Sequence, residues 1–333
     1  MSIAGVSCIL GEVSMPDHLK CMLAEAPCGI SPSVLEVITR PNLEREGVVF
    51  SPSSIQGCHR QFVLKGRHEW YIPVDKAWPS ARGTIFHHGM GKLPAPEGTI
   101  GVIRELRMFA AIDTEFGEQQ FSGQIDEILL MRVEDDVLHV RITDWKTKSD
   151  IPHSMIEPER RHLYQINYYA WLVTEALRHY LDNWDTIERN PSSLLSLRQA
   201  IPEFKSVRVE EISVSYLAGN KIRTFVSSRL LSVRGKMKGE SSLGRDGQMH
   251  WHKYVPEEYE ALELMPIHMF QLSYIEGLLR SGIEAQIKAQ TEIAAPLVGD
   301  DAQLMCGGCP VRMRCIELGC NQGYDMSAQR GAC

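Results

Sequence analysis

Apolar and polar residues alternate along three consecutive stretches in the first half of the chain, at 101–112, 119–131 and 136–147. Alternation with a period of two is typical of half-buried β-strands, and the acidic run at 134–136 indicates a turn between the last two stretches. The pattern therefore predicts three strands that follow one another as a meander.

Helical patterns lie on both sides of this meander. Residues 31–40 and 51–67 each begin with Ser and Pro, which is typical of an N-cap followed by a first helical turn. A third helix is predicted over 81–93. After the meander, the pattern predicts a long helix from about Pro158 to Tyr180.

The second half of the chain predicts two more strands, at 207–217 and 221–231, and a long helix from about Pro256 to Ala289. Helices, a meander, a helix and further strands in this order indicate an α/β core with additions on one flank. The expected divisions are a helical extension over 1–50, a core over 51–185, an additional region over 186–300 and a cysteine-rich end over 301–333.

Composition limits the functional classes. The chain has 333 residues, 44% hydrophobic and 23% charged, which is close to the average of folded globular proteins. Acids outnumber bases by 42 to 35, so nucleic-acid binding would need a local basic patch. Neither a membrane span nor a signal peptide is visible, and we therefore expect a cytoplasmic protein without a membrane partner.

Candidate chemistry lies at the end of the third predicted strand. Asp144 and Lys146 are two residues apart and so share a strand face, with the carbonyl of Trp145 between them. Asp126 would lie beside Asp144 if its strand pairs antiparallel. Two carboxylates and a backbone oxygen suit Mg²⁺ or Mn²⁺, and the lysine could stabilise charge on a phosphate. The alternative is a simple salt bridge on a partly exposed strand.

Four short motifs occur in a characteristic order: Gly-x-x-x-His at 83–87, Gly-Gln-Ile-Asp at 123–126, Asp-Trp-Lys-Thr at 144–147 and Gln-x-x-x-Tyr at 165–169. Together they resemble the RecB-like branch of the PD-(D/E)XK nucleases. The resemblance implies a restriction-endonuclease-like α/β core, with a mixed sheet flanked by helices.

The resemblance also implies a role for each matching residue. His87, Asp126 and Asp144 would bind the metal, and Lys146 would be catalytic. Gln165 and Tyr169, which share one helical face, would shape the site and contact DNA.

Alternatives remain at three positions near these motifs. Tyr169 also fits a core aromatic residue, since it lies in an apolar stripe. His88 competes with His87, but successive helical residues point about 100° apart, and the family spacing selects His87. Glu105, in the strand before Asp126, is either a further acidic site residue or an exposed charge.

Nine cysteines are spaced too unevenly for a disulfide framework in a cytosolic protein. Cys58 precedes the core, and Cys306, Cys309 and Cys315 follow it. This arrangement resembles the iron-sulfur nucleases, namely the AddB-type helicase-nuclease subunit and, more closely, the fourth CRISPR-associated protein family. It implies a 4Fe-4S cluster domain formed by both ends of the core. A zinc ion is the alternative, and Cys320 is a possible substitute ligand.

The clearest basic segment runs from Lys221 to Arg245 and includes Arg234, Lys236 and Lys238. Phosphates would be attracted to it, although a solvated hairpin explains the same charges. Trp251 and Tyr254 follow and could stack on bases.

Two functions follow from the sequence. The first is a metal-dependent DNA exonuclease that acts on single-stranded ends and contains 4Fe-4S and Mg²⁺ or Mn²⁺, in CRISPR adaptation, phage recombination or DNA repair. Its partners would be DNA and a CRISPR integrase or recombination proteins. The second is a catalytically idle adaptor that binds DNA through an iron-sulfur or zinc domain. The complete set of His87, Asp126, Asp144 and Lys146 favours the enzyme.

Overall fold

A computed structural model describes the backbone of just under two-thirds of the chain. The described residues are 5–8, 11–14, 50–67, 71–152, 154–183, 199–219, 221–228, 231–236, 242–243, 249–250 and 259–291. Side chains are described over 50–65, 78–79, 81–152, 154–183, 199–219, 221–228 and 264–290.

Within these residues, the largest sheet has five strands in the order β4-β5-β6-β7-β8. β4 (Gly101–Thr114), β5 (Gly117–Glu134) and β6 (Val137–Thr147) are the three strands that the alternation predicts. β7 (Ser206–Ala218) runs parallel to β6, and β8 (Lys221–Val226) runs antiparallel to β7. The sheet is therefore mixed, as predicted.

The turn between β5 and β6 contains only Asp135 and Asp136, because Glu134 pairs directly with Val137. Both aspartates have positive φ angles, 50° and 60°. A two-residue hairpin turn of this kind matches the twist of the two strands, and aspartate tolerates the left-handed conformation better than most residues. The acidic run thus forms the predicted turn.

Helix α4 (Arg160–Asp182) connects the parallel strands β6 and β7, and it confirms the predicted long helix. A connection of this length is needed because parallel neighbours begin at the same end of the sheet. The helix packs against both strands. Its fully buried apolar side chains are Ile166, Leu172, Val173 and Leu177. The helix is therefore held mainly by its contact with the sheet.

Two compact units divide the chain. The first contains residues 1–92, 109–123 and 272–333, and the second contains residues 93–108 and 124–271. The second unit thus contains α4, β6, β7 and most of β5.

Four helices are described in the first unit: α1 (Pro52–Ile55), α2 (His59–Arg67), α3 (Val74–Met90) and α5 (Leu272–Thr291). Ser51 caps α1, as predicted, but the single helix expected over 51–67 is wrong, because the chain turns at Gly57. A Cβ atom at position 57 would lie only 3.0 Å from the carbonyl oxygen of Ser53. The turn places Cys58 directly before α2.

Contacts from α5 connect the first unit. Gly282 lies against Ile55 of α1, where an added Cβ would be 3.2 Å from the Ile55 Cβ. The Arg280 Nε donates to the carbonyl of Asp113 at 2.9 Å, and Lys288 forms an ion pair with Glu115 at 2.5 Å. The tip of the β4–β5 hairpin is thereby fastened to α5.

The helical extension predicted over residues 1–50 is wrong for residues 5–8 and 11–14, which form strands. β1 (Gly5–Cys8) and β2 (Gly11–Ser14) pair antiparallel, and β3 (Tyr71–Pro73) pairs parallel with β1. Val6 pairs with Val13, and β-branched residues favour strands. The helix predicted over 31–40 lies outside the described residues.

The long helix predicted from Pro256 to Ala289 is also wrong in its first half. Residues Tyr259–Leu264 form strand β12, which pairs antiparallel with β9 (Leu231–Lys236). Pro266 explains why the helix cannot extend back through this region, since proline lacks the N–H and disfavours a helical residue before it. Two short strands, β10 (Ser242–Leu243) and β11 (Met249–His250), form a separate pair.

No helix in the described part of the chain has both the length and the apolar character required to cross a membrane.

Asn167 of α4 fastens the segment after β12 to the helix. Its amide Nδ2 donates to the carbonyl of His268 at 3.1 Å, and its Oδ1 accepts the Phe270 N–H at 2.8 Å. The side chain is almost fully buried. These bonds therefore satisfy backbone groups that would otherwise lose their partners away from water.

We predict that Asn167→Ala lowers the free energy of unfolding by about 2–3 kcal/mol, because two hydrogen bonds in a buried region are lost. Urea unfolding monitored by circular dichroism measures the change. Asn183→Ala, at the end of the same helix, is the control and should cost less than about 1 kcal/mol. Equal losses from the two substitutions would contradict the role assigned to Asn167.

Candidate functional site

Asp144 and Lys146 project from the same face of β6, as the period of the strand predicts. The Lys146 Nζ donates to Asp144 Oδ1 at 2.8 Å and also lies 2.8 Å from Oδ2. The Asp144 side chain is only 1% exposed. The predicted salt bridge thus exists, but its carboxylate lies in the interior, where an uncompensated charge is costly.

Asp126 lies beside Asp144, in the middle of the neighbouring strand β5. Glu127 of β5 pairs with Thr143 of β6, so the next step of the antiparallel register brings Asp126 opposite Asp144. The backbone N–H of Trp145 donates to Asp126 Oδ2 at 2.6 Å. This bond fixes the Asp126 carboxylate against the strand segment that carries Asp144 and Lys146.

Glu105 of β4 adds a second carboxylate close to Asp126. One carboxylate oxygen of each residue lies within 4.8 Å of the other. Glu105 has a φ angle of +54°, which is unusual for a residue that is not glycine and commonly marks a functional position. The structure therefore favours the interpretation of Glu105 as an acidic site residue over that of an exposed charge.

Gln124 and Arg107 hold the Glu105 carboxylate in place. The Gln124 Nε2 donates to Glu105 Oε2 at 2.7 Å, and Gln124 Oε1 accepts from Arg107 at 3.1 Å. A carboxylate only accepts and a guanidinium only donates, so these partners determine the orientation of the amide between them. Sequence reasoning missed both residues, although Gln124 lies within the Gly-Gln-Ile-Asp motif.

Gln165 and Tyr169 face the carboxylates from α4. The Gln165 Nε2 donates to the Tyr169 hydroxyl at 2.7 Å. Burial raises the pKa of Tyr169 above its ordinary value, and the negative charges of Asp144 and Asp126 raise it further. Tyr169 is therefore a buried aromatic residue, as the alternative interpretation predicted. Its hydroxyl is neutral and lies close to the negative charges of the two acids.

The two candidate histidines lie on α3 in the first unit. His87 is half-buried, whereas His88 is exposed. His88 therefore lies on the exposed side of α3.

The donor set in the second unit fits a hard divalent cation. Glu105, Asp126 and Asp144 offer carboxylate oxygens, and the carbonyl of Trp145 lies between Asp144 and Lys146 in the chain. Oxygen donors of this kind suit Mg²⁺ and Mn²⁺. A cation would also compensate the negative charge of three neighbouring acids.

Cys58 lies at the start of α2, and its Sγ accepts the backbone N–H of Gln61 at 3.4 Å. The first turn of α2 thus orients the Cys58 sulfur. The other three predicted cluster ligands, Cys306, Cys309 and Cys315, and the substitute Cys320 lie outside the described residues.

The first two basic residues of the segment, Lys221 and Arg223, contact other residues of the second unit. Arg223 is 8% exposed, and its guanidinium donates to the carbonyls of Pro152 and Met155 at 2.7 and 2.6 Å. Lys221 forms an ion pair with Asp150 at 2.6 Å. These contacts anchor the loop after β6, and the burial of Arg223 corrects the prediction that it contacts phosphate.

The other basic and aromatic residues in and after this segment, which are candidates for nucleic-acid contacts, have side chains that the structure does not describe. They are Arg229, Arg234, Lys236, Lys238, Arg245, Trp251 and Tyr254.

A second polar cluster, missed by sequence reasoning, surrounds the start of α4. The Tyr216 hydroxyl accepts the Glu159 N–H at 2.9 Å and lies 2.8 Å from His162 Nδ1. Because the hydroxyl already accepts one hydrogen bond, its own proton is directed to Nδ1 of a neutral imidazole. Burial, together with the nearby charge of Lys146, lowers the pKa of His162 to about 3.

Comparison with known proteins identifies one sequence family. The profile described as "PD-(D/E)XK nuclease superfamily" matches residues 95–316, about two-thirds of the chain. No curated protein sequence matches the chain. A solved structure titled "Crystal structure of SSO0001" is 12% identical and covers 85% of this chain and 91% of its own, with a TM-score of 0.42.

We predict that His162 makes the free energy of unfolding depend on pH between 7 and 5. The unfolded histidine binds a proton near pH 6.5, whereas the folded one does so only near pH 3. Stability is therefore full above pH 6.5 and falls as the pH decreases, by up to about 2 kcal/mol at pH 5.

His162→Gln should remove this part of the pH dependence, as measured by urea unfolding at pH 7, 6 and 5. His179→Gln, at an exposed position of the same helix, is the control and should keep the wild-type dependence. If His162→Gln and the wild type lose stability equally between pH 7 and 5, His162 is not held neutral.

Proposed function

Because the chain belongs to the PD-(D/E)XK nuclease superfamily, we propose that it is a Mg²⁺- or Mn²⁺-dependent DNA exonuclease that acts on single-stranded ends. Membership in this superfamily implies a metal-dependent nuclease with nucleic acid as its substrate. The observation that carries the proposal is the grouping of Asp126, Asp144 and Lys146 on two adjacent strands.

We assign the metal-binding role to Asp126, Asp144 and the carbonyl of Trp145, with His87 as the imidazole ligand and Glu105 as a further acid. When bound, the divalent cation supplies Lewis-acid polarisation of a phosphate oxygen and an activated water. The positions of the acids support this assignment, because the carboxylates of Glu105 and Asp126 lie within 4.8 Å of each other.

Lys146 is the proposed catalytic cation. Its ammonium is fixed by Asp144, so it needs little rearrangement to stabilise negative charge that develops on a phosphate. Gln165 and Tyr169 shape the site on the opposite side. The Tyr169 hydroxyl accepts from Gln165 and stays protonated, so its own proton remains available to donate towards substrate or a carboxylate.

An iron-sulfur cluster is the proposed second cofactor, held by Cys58, Cys306, Cys309 and Cys315. Its support within the described residues is the Cys58 sulfur, which accepts a backbone hydrogen bond at the start of α2. Hydrogen bonds to the sulfur atoms are a common feature of such clusters and tune their potential. The cluster would join the two ends of the core.

We propose CRISPR adaptation, phage recombination or DNA repair as the setting of this activity, on the basis of the resemblance to the fourth CRISPR-associated protein family. A CRISPR integrase or recombination proteins would be its partners. Arg234, Lys236 and Lys238 remain the proposed DNA contacts of the basic segment. An idle DNA-binding adaptor is the second candidate function, and retention of both acids and the lysine argues against it.

We predict that Asp144→Asn abolishes cleavage because it removes a metal-binding charge, and that it weakens Mn²⁺ binding in calorimetric titrations. Lys146→Met should instead keep or slightly tighten Mn²⁺ binding while cleavage slows by roughly two to four orders of magnitude. The cleavage assay follows end-labelled single-stranded DNA with Mn²⁺.

Asp182→Asn, an exposed charge change near the end of α4, is the control for these variants and should cleave at the wild-type rate. Digestion of DNA by Asp144→Asn at the wild-type rate would leave Asp144 and Lys146 as a salt bridge only and would remove the basis for the nuclease proposal.

We predict that protein purified without oxygen is brown, absorbs broadly near roughly 400 nm and contains about four irons per chain. Cys58→Ser should lose the colour and iron, whereas Cys8→Ser should keep both. Colourless wild-type protein with one zinc ion would replace the cluster with a zinc site and leave the nuclease proposal standing.

A further inference from the structure

Glu159, directly before α4, is surrounded by basic side chains. The Lys148 Nζ contacts Glu159 Oε1, and the Arg161 Nε donates to Glu159 Oε2 at 3.0 Å. The His162 Nδ1 lies 3.5 Å from the same Oε2. Burial alone would raise the pKa of Glu159, but the hydrogen bond from Lys148 and the charge of Arg161 hold it below its ordinary value. These basic side chains therefore already bind an anion, which is the carboxylate of Glu159.

Lys148 lies one step beyond the proposed catalytic lysine. Lys148 directly follows β6, two residues beyond Lys146, and residues two apart in an extended chain point to the same side and are separated by about 6.6 Å. This separation is of the same order as that between neighbouring phosphates of an extended nucleic-acid strand. The Lys148 N–H donates to the Leu217 carbonyl at 2.8 Å, and its ammonium lies 5.1 Å from the centre of the Tyr216 ring. Lys148 is thus fixed in line with the site.

The Glu159 carboxylate is accessible enough for another anion to replace it. The side chains of Glu159 and Lys148 are 33% and 22% exposed, and that of Arg161 is 71% exposed. Ion pairs at this exposure contribute little to stability, so another anion can replace the carboxylate at low cost. A phosphodiester carries the same single negative charge and accepts hydrogen bonds from the same donors.

We propose that Lys148 and Arg161 form a binding subsite for the phosphate adjacent to the one at Lys146, and that Glu159 occupies this subsite until the DNA strand displaces it. The proposal rests on the proposed function, since the strand is the substrate of the nuclease. Glu159 would then weaken binding of DNA by competing with each incoming strand for the two cations.

Salt dependence distinguishes this competition from a simple change in net charge. In the wild type, a phosphate that enters the subsite releases cations from the DNA, but the displaced Glu159 carboxylate takes up a salt cation in exchange. In Glu159→Gln no carboxylate is displaced, so the release of cations from the DNA is not offset. Each additional phosphate contact to single-stranded DNA of this kind steepens the plot of log affinity against log salt by about 0.7.

The test measures binding of a fluorescent single-stranded oligodeoxynucleotide by anisotropy, in EDTA and at several salt concentrations. Glu159→Gln should bind about 3- to 10-fold more tightly at low salt and show the steeper salt dependence. Glu157→Gln is the matched control, because Glu157 is exposed and differs by the same charge two residues away. Equal behaviour of Glu159→Gln and Glu157→Gln would overturn the subsite.

Two further variants assign the effect to the named cations. Lys148→Gln in the Glu159→Gln background should remove the gain in affinity, and a gain that persists would overturn the proposal. Arg161→Gln in the same Glu159→Gln background should weaken DNA binding and flatten its salt dependence. Unchanged binding by this double variant would also contradict the proposal.

The assay contains no divalent metal and measures no cleavage, so its outcome is separate from that of the proposed function. The predicted binding shifts without metal-dependent cleavage would refute the nuclease and retain the subsite. Metal-dependent cleavage with Glu159→Gln indistinguishable from Glu157→Gln would retain the nuclease and refute the subsite.

Discussion

The buried charge of Asp144 governs the arrangement of the residues around it. A carboxylate that is almost removed from water needs compensation by a cation and by hydrogen-bond donors. Lys146 supplies the cation from the same face of β6. Two further acids nearby, Asp126 and Glu105, increase the demand for positive charge beyond what one ammonium provides. The same excess of negative charge makes this end of the sheet suitable for a divalent cation.

Helix α4 joins the core to this charged cluster. One of its faces is buried against β6 and β7 through Ile166 and Leu172, and Gln165 and Tyr169 on the same helix meet the carboxylates. The first turn carries His162, which Tyr216 of β7 holds by a hydrogen bond. Because the helix is rigid and well packed, the positions of these polar groups are set before any substrate binds.

Local patterns predicted the elements that carry the site but not all of their surroundings. The alternation of β4, β5 and β6 was sufficient because each strand has one face in the core. The two-residue turn at Asp135 and Asp136, together with the register shift between Leu130 and Arg132, sets the pairing that brings Asp126 to Asp144. The pattern was not sufficient for Tyr259–Leu264, which forms a strand because β9 offers it a partner. Pairing with a distant strand outweighs a local helical pattern when it satisfies the backbone hydrogen bonds of the segment.

The sequence by itself determined that Asp144 and Lys146 share a face and that Gln165 and Tyr169 share another, since these relations depend only on the periods of a strand and a helix. It also determined the family to which the chain belongs. Only the tertiary structure decided that Gln124 links Glu105 to Arg107, that Arg223 supports a loop, and that Lys148 and Arg161 enclose Glu159. These contacts join residues from different elements of the fold. Their partners are chosen by the packing of those elements, which no local period records.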